Sequence, residues 1–368
     1  MSDVQVRKLV NKKLQEDNIR LHKEFWIKCN RVPVVSYRKG DFFFSSHFEA
    51  TKKLLVPGKV LKPEFLDVDS FLPDYERMYQ ESLLTGQTGF WVAEPFTGIP
   101  WMEAILGCEI IAEKNSFISA PITNNSVIDS PLSLDLNNPW LLKYLEFTKA
   151  LVKLSDGRFP VGQPIMRGPT DMAGALLGQT ELVFELIDRP LELQRLIDSV
   201  TNIFIQVISM QNLHIPSWQS GFSIGFYHVW APDRVIWFQD DLAAILSPDL
   251  YKEFFLTSAK KIASQAQYNA VHLHPASFFV LDQLLEITTL KAVEVNKDIG
   301  GPSVEEMLPV LKKIMKYKNL ILWGDLTIHD LQLLEKELPT EGLYLNIVKE
   351  SSEEIEELSN YIYQWKRI

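Results

Sequence analysis

Short apolar runs alternate with longer amphipathic stretches along most of the chain. From residue 221 onward this alternation is regular, and the short runs predict strands at 222–229, 235–238, 270–273, 292–295, 320–323 and 343–347. The stretches between them carry apolar residues at helical spacing, for example at 248–266 and 304–316. Strands that alternate with helices in this way form βα units, so the pattern predicts an α/β protein with a parallel sheet.

The first half of the chain adds further elements of the same kind. Apolar runs at 33–37, 89–94 and 159–166 predict strands, and 4–28 has the spacing of an amphipathic helix. No internal repeat, low-complexity tract or linker interrupts the pattern. We therefore expect residues 1–368 to form one (β/α)8 TIM barrel domain, with an N-terminal helical extension over 1–30.

Composition and charge narrow the classes of partner. A hydrophobic content of 46% is ordinary for a globular protein, so a sizeable core can form. The formal net charge of −10 argues against nucleic acid or an anionic membrane as the main partner. The N-terminus has no apolar signal core, and no stretch is long enough to span a bilayer. Cys29 and Cys108 have no metal-binding spacing, and the expected location is the cytoplasm.

The stretch 269–296 concentrates the candidate chemistry. His272 and His274 end one apolar run, and Glu294 lies on the next. Side chains two apart in a strand point to the same side, so the two imidazoles share a direction. In parallel α/β barrels the carboxyl ends of strands face the active site. His272, His274 and Glu294 are therefore the predicted functional centre.

Three motifs carry a resemblance to a known family. They are Arg167-Gly-Pro-Thr-Asp-Met-Ala-Gly, Asp240-Asp-Leu-Ala-Ala-Ile-Leu-Ser-Pro and Val271-His-Leu-His-Pro. Together they resemble the uroporphyrinogen decarboxylase superfamily. That superfamily contains the decarboxylase of haem biosynthesis and zinc-dependent methyltransferases, which move methyl groups from methylated corrinoid proteins to thiols. The match covers most of the chain and is clearest from Arg167 to the C-terminus.

The resemblance to the decarboxylases is incomplete. Arg38 matches the first of two family arginines that hold substrate carboxylates, but the second falls at Phe42. Glu94 stands where the family has an acid after the next strand, and Asp241 replaces a family serine. Losing a cation and adding an acid disfavours a substrate with many carboxylates. The chain is therefore expected to be a divergent member and not a true uroporphyrinogen decarboxylase.

The methyltransferase branch fits better. Those enzymes hold zinc through His-x-Cys and a further cysteine on the last strand, and the zinc turns the incoming thiol into a thiolate. His272 matches the family histidine, and His274 replaces the first cysteine; imidazole is itself a good zinc ligand. The last strand offers no cysteine. The resemblance therefore implies His272 and His274 as metal ligands, with Glu294, Asp240 or Asp325 to complete the site. A His/His/carboxylate set with one open position is typical of catalytic metal sites.

The leading hypothesis is a methyltransferase-like enzyme that uses a metal site at the barrel mouth to activate a methyl acceptor. The resemblance implies zinc, a small-molecule substrate and a corrinoid protein as partner; a homodimer stays open. The candidate catalytic residues are Asp240, Asp241, Glu294 and His272. The candidate substrate-binding residues are Arg38, Glu94, Trp323 and Asn346, the last on the strand where the family's late histidine has no counterpart.

Three alternatives remain open at this point. One is decarboxylation of a tetrapyrrole or smaller acid, with Arg38 on a carboxylate and Asp240 stabilising the cation that forms. Another is a carbohydrate-active barrel with Asp240 and Glu294 as the acid–base pair and tryptophans as stacking surfaces. The last is a non-catalytic ligand-binding barrel, because several family positions have been replaced.

Overall fold

A computed structural model describes residues 3–40, 44–122 and 125–365 of the chain. Phe42, where the family's second arginine falls, lies outside the described residues. The α-helices are α1 (Asp3–Trp26), α2 (Leu72–Ser82), α3 (Trp101–Ile105), α4 (Pro139–Ser155), α5 (Pro169–Leu177), α6 (Gln179–Asp188), α7 (Pro190–Asn212), α8 (Pro248–Leu250), α9 (Leu256–Ala263), α10 (Leu281–Leu285), α11 (Val304–Tyr317), α12 (Ile328–Glu337) and α13 (Ser352–Gln364). A π-helical turn, Tyr251–Phe255, joins α8 to α9.

The described strands form one central parallel sheet and two smaller sheets. The strands are β1 (Val34–Lys39), β2 (Val60–Leu61), β3 (Glu109–Ala112), β4 (Phe117–Ala120), β5 (Gly162–Gln163), β6 (Phe222–Ile224), β7 (Val229–Ala231), β8 (Val235–Gln239), β9 (Tyr268–Leu273), β10 (Ala292–Lys297), β11 (Asn319–Gly324) and β12 (Leu343–Lys349). Six of them form one sheet in the order β1-β12-β11-β10-β9-β8, and each pair in it is parallel. The predicted α/β architecture with a parallel sheet is confirmed.

Further pairings extend beyond both edges of this sheet. Thr88 and Gly89 donate backbone hydrogen bonds to Val35 of β1. Parallel bridges join Ala93 to Val161 and Arg167 to Gln239, the last residue of β8. The predicted strands at 89–94 and 159–166 therefore take part in pairing, although only Gly162–Gln163 forms a regular strand there.

The predicted single strand at 222–229 is wrong. This stretch holds β6, a turn at 225–228 and the start of β7, and β6 and β7 are antiparallel. The apolar run is continuous across the turn because Phe226 and Tyr227 are buried, 3% and 2% exposed. A run of buried residues does not by itself distinguish a strand from a buried turn.

Two apolar layers lie on the two faces of the sheet. The helices cover the outer face, while the inner layer is built from side chains such as Trp237, Ile321 and Tyr344. Helix α1 closes the inner layer at the end of the sheet away from the strands' carboxyl ends. Its Trp26 packs there and donates a 2.9 Å hydrogen bond from Nε1 to the carbonyl of Trp230. No helix in the described part of the chain is long and apolar enough to cross a bilayer.

Strand register places polar residues of neighbouring strands side by side. Gln239 of β8 is opposite His272 of β9, which is opposite Glu294 of β10. Because opposite residues of parallel strands point to the same face, the three polar side chains form one row near the carboxyl ends of their strands. The next row along β10 and β11 contains Asn296 and Trp323.

Candidate metal centre

The two histidines come from the end of β9. His272 is the next-to-last residue of the strand, and His274 follows the last one. Because side chains two residues apart in a strand point to the same face, their rings lie on the same side. The ring centroids are 4.5 Å apart and the ring planes meet at 89°. His272 is buried, whereas 30% of the His274 side chain is exposed. The pair is therefore open to ligands from one direction.

Asp241 brings a carboxylate to both imidazoles. It begins the short 3-10 helix that follows β8, and its Oδ1 lies 3.6 Å from His272 Nε2 and 3.9 Å from His274 Nε2. One ligand atom from each of the three residues lies within 4.8 Å of the others. The sequence named Asp241 as a catalytic candidate, and the structure adds it to the group that can hold a metal ion.

The position of Asp241 is fixed from two sides. Gln239 Nε2 donates a 2.7 Å hydrogen bond to Asp241 Oδ2. The backbone N–H groups of Asp241 and Leu242 donate to the carboxylate of Asp171, at 3.2 and 2.7 Å. Asp171 is buried, so this anchor lies behind the short helix and not in the opening. Oδ1 is thereby left pointing to the histidines.

A carboxylate orients each imidazole through its Nδ1. His272 Nδ1 donates to Glu294, and His274 Nδ1 donates to Asp298 at 2.7 Å. Asn296 Nδ2 donates to the same Asp298 oxygen at 2.6 Å. When Nδ1 carries the proton, the lone pair is on Nε2, which is the nitrogen that each ring turns toward Asp241. Glu294, a predicted metal ligand, therefore lies behind His272 and outside the three-residue group.

This donor set suits a divalent metal ion. Asp241 Oδ1 is buried and has no hydrogen-bond partner among the described residues, which is costly unless a cation or proton satisfies it. Two imidazole nitrogens and one carboxylate oxygen are good ligands for zinc and its neighbours, and three protein ligands leave a position open. The residues present therefore fit a catalytic metal.

The negative charges around His272 favour a positive charge at the same place. Burial alone would lower the pKa of His272, but the negative charges of Glu294, Asp241 and Asp298 outweigh it and raise the pKa to about 9. Without a metal ion, a proton on His272 balances part of this negative charge. A divalent cation coordinated at Nε2 would replace that proton.

A hollow of about 270 Å³ opens in front of the three residues. Its wall includes Phe226, Trp323 and Arg167, together with Asn296. Arg167 Nη1 donates a 2.8 Å hydrogen bond to Glu103, which is fully buried. The predicted substrate-binding residue Trp323 therefore lines the hollow in front of the candidate metal centre, and Arg167 adds a cation to its rim.

Arg38 and Glu94 lie in another place. They line a larger hollow of about 530 Å³ between β1, α2, α13 and residues 84–94. Glu94 Oε2 is buried without a partner among the described residues, and burial, opposed by the charge of Arg38, raises its pKa to about 8. Arg38 donates a 2.7 Å hydrogen bond to the carbonyl of Phe226, the residue that lines the smaller hollow. The turn 225–228 therefore lies between the two hollows and lines both of them.

Asp240 and Asn346 lie on the wall of neither hollow. The Asp240 carboxylate accepts hydrogen bonds from Thr170 and from the hydroxyl of Tyr251 at 3.0 Å. Burial raises the pKa of Asp240 to about 7, against the opposing effect of those hydrogen bonds. Asn346 is fully buried, and its Nδ2 donates to the carbonyl of Tyr227. Asp325, a third-ligand candidate, is paired with Lys349.

Sequence reasoning missed several residues around the site. Asp298 had a usable signal, because Glu294, Asn296 and Asp298 are spaced by two at the end of β10. Tyr227, whose hydroxyl lies 2.8 Å from His272 Nδ1, had none. It comes from the turn that was predicted as strand, and nothing in its neighbours points to β9.

Comparisons with known proteins give the fold a context. No protein-family model and no curated protein matches the chain. Among solved structures, a methyltransferase from Methanosarcina mazei is similar, with a TM-score of 0.59 and 16% sequence identity. The alignment covers 92% of this chain and 97% of that chain. At this identity the similarity shows a shared α/β fold over almost the whole chain.

Proposed function

We propose that this chain is a metal-dependent, methyltransferase-like enzyme of the uroporphyrinogen decarboxylase superfamily. The observation that carries the proposal is the meeting of Asp241, His272 and His274, with a carboxylate behind each imidazole. The fold shared with the methyltransferase from Methanosarcina mazei agrees with this class. Because one fold hosts many reactions, the site and not the fold carries the proposal.

The proposed architecture is a closed barrel in a single domain over 1–368. The six-stranded sheet supplies most of the wall. The hydrogen bonds from 88–89 to Val35 and the bridges Ala93–Val161 and Arg167–Gln239 would supply the remaining joins between β8 and β1. Eight strands arranged this way would place the metal centre at the carboxyl ends, where barrel enzymes carry their active sites.

Each residue of the candidate site has a separate proposed role. Asp241, His272 and His274 would hold zinc, while Glu294 and Asp298 keep the imidazoles in the ligating tautomer. Bound zinc would lower the pKa of a thiol or alcohol acceptor and so make it a nucleophile at neutral pH. Trp323 and Phe226 would exclude water from the hollow of about 270 Å³, and Arg167 would orient an anionic group of a small substrate.

The methyl donor would approach from the open side. The side chains of Asp241 and His274, 36% and 30% exposed, form the accessible part of the centre. A corrinoid protein is the donor that the family resemblance suggests. Decarboxylation is less favoured, because it requires Arg38 and Asp240 on one substrate, and these residues do not share a hollow.

Metal content and methyl transfer test the proposal together. Protein expressed with added zinc should contain about one zinc per chain by elemental analysis, and Asp241→Ala and His272→Ala should lose it. His329→Ala, at an exposed position on α12, is the matched control and should keep the metal.

The zinc-loaded protein should demethylate methylcobalamin in the presence of 2-mercaptoethanol. The loss of methylcobalamin is measured by its visible absorbance. Metal-free wild-type protein would overturn the metal centre; full metal content without transfer to any thiol or alcohol would overturn the reaction class.

A further inference from the structure

The turn between β6 and β7 is held by side chains from the other side of the sheet. Three of its four carbonyl oxygens each accept a 2.7 Å hydrogen bond from a residue of β1 or β12: Phe226 from Arg38, Tyr227 from Asn346 and His228 from the hydroxyl of Tyr344. We call the segment 225–228 the strap. Three consecutive carbonyls bound by side chains fix its backbone far more tightly than a surface turn.

The strap adopts a backbone conformation that its sequence does not favour. His228 has a φ of 57°, in the left-handed region that costs a non-glycine residue about 1 kcal/mol or more. A Cβ on Gly225 would lie 2.6 Å from Glu94 Oε2 and 2.7 Å from the carbonyl of Gln163, so only glycine fits there. Unfavourable conformations persist where the surroundings impose them, and they cluster at functional sites.

One side chain of the strap contacts a histidine of the candidate metal centre. Tyr227 is 2% exposed, and its hydroxyl lies 2.8 Å from His272 Nδ1, the nitrogen that also bonds Glu294. A tyrosine hydroxyl can accept one hydrogen bond and donate another, so it can lock the rotation of the imidazole beside it. The direction of His272 Nε2 then depends on where the strap places Tyr227.

Asn346 is the residue that bonds the backbone carbonyl of Tyr227. It is fully buried on β12, lines neither hollow and donates its hydrogen bond directly to the Tyr227 carbonyl. We propose that Asn346 is a positioning residue of the metal centre, acting through the Tyr227 hydroxyl to aim His272 Nε2 at the metal ion. This inference rests on the proposed metal centre, and it gives Asn346 a role other than contact with substrate.

Cobalt binding tests the inference without an assay of activity. Co²⁺ takes the same nitrogen and oxygen ligands as zinc, and its visible absorption reports the geometry around the ion. Asn346→Leu and Tyr227→Phe should each weaken Co²⁺ binding by about tenfold or more, the usual effect of removing a group that orients a ligand. Both should shift the absorption bands, because His272 is the ligand that moves.

A double-mutant cycle shows whether Asn346 acts through Tyr227. If it does, Asn346→Leu adds little further loss in a Tyr227→Phe background, so the two effects are not additive. Tyr144→Phe is the matched control: it also removes a buried hydroxyl, one that contacts the sulfur of Met166 at 3.9 Å and the side chain of Gln211, and should leave Co²⁺ binding unchanged. Tyr344→Phe is a milder variant that loosens the same strap and should weaken Co²⁺ binding in the same direction.

The outcomes separate the two proposals. Wild-type protein that binds no Co²⁺ would overturn the metal centre itself. If the wild-type protein binds Co²⁺, and Asn346→Leu binds it with the same affinity and the same spectrum, the positioning role alone is overturned. If Asn346→Leu does not fold, Tyr344→Phe and Tyr227→Phe test the positioning role instead. Unchanged Co²⁺ spectra in both variants would overturn that role. Additive losses in the cycle would also overturn it, since Asn346 would then act by another route.

Discussion

At the scale of single residues, Asp298 is the side chain whose role is most sharply defined by its contacts. Its Oδ1 accepts from His274 Nδ1 at 2.7 Å and from Asn296 Nδ2 at 2.6 Å. Asp298→Asn keeps the shape but replaces a charged acceptor with an amide. We expect zinc affinity to fall by about 10- to 100-fold, as for other losses of a carboxylate behind a ligating histidine. Competition with a chromophoric chelator measures the affinity.

Asp282→Asn is the control for that change in charge. Asp282 is 67% exposed and pairs with Lys313 on the surface, so zinc affinity should not change. Unaltered affinity in Asp298→Asn would show that the His274 ring is held without its carboxylate. An equal loss in both variants would instead indicate a long-range effect of net charge, which added salt would abolish.

Residue spacing predicted part of this site; Asp241 was named only through the family resemblance, and Tyr227 was missed. The period of two along β9 placed His272 beside His274, and the parallel register placed Glu294 opposite His272. Asp241 and Tyr227 reach the same imidazole from a short 3-10 helix and from a turn. Their side-chain directions depend on tertiary hydrogen bonds, which have no period along the chain.

At the scale of elements, the edge of β1 shows how the sheet opens beside the larger hollow. The Val35 and Tyr37 N–H groups donate to the side-chain oxygens of Thr88 and Gln87, at 2.9 and 3.1 Å. Side chains thus replace part of a neighbouring strand's backbone, and space is left between β1 and residues 91–94, where the hollow of about 530 Å³ lies. The apolar run at 89–94 predicted a strand, but this segment forms only the single bridge at Ala93, and its residues 91–94 are separated from β1.

Removing one of these acceptors should destabilise the edge. Gln87→Ala leaves the Tyr37 N–H without its acceptor, and we expect the free energy of unfolding to fall by about 1 kcal/mol. Urea denaturation measures the change. Gln80→Ala, which removes an exposed amide bonded to Glu76 at 2.9 Å, should cost less than half as much. Equal effects would mean that water replaces Gln87 at no cost.

At the scale of the whole molecule, α1 ties the N-terminus to the inner layer of the sheet. His22 is fully buried, stacks on Phe90 with ring centroids 4.9 Å apart and hydrogen-bonds the carbonyl of Trp230 at 3.2 Å. The amphipathic pattern predicted this helix but not that a histidine would be buried in it. Burial lowers the pKa of His22 to about 4, against the raising effect of its backbone hydrogen bonds.

The depressed pKa of His22 makes stability depend on pH in a defined window. The unfolded chain binds a proton below its ordinary pKa of 6.5, whereas the folded chain resists it down to about 4. The stability due to neutral His22 is therefore fully present above about pH 6.5 and is lost as the pH falls toward 4. Between pH 7.5 and pH 5 the loss from this one group is about 2 kcal/mol.

The variant His22→Gln keeps a donor for the Trp230 carbonyl but does not titrate. Its free energy of unfolding, measured in urea, should therefore fall by about 2 kcal/mol less than that of the wild type over this pH range. His329→Gln, at an exposed position, should follow wild type. Parallel curves for wild type and His22→Gln would show that the helix opens and exposes His22 before the rest of the protein unfolds.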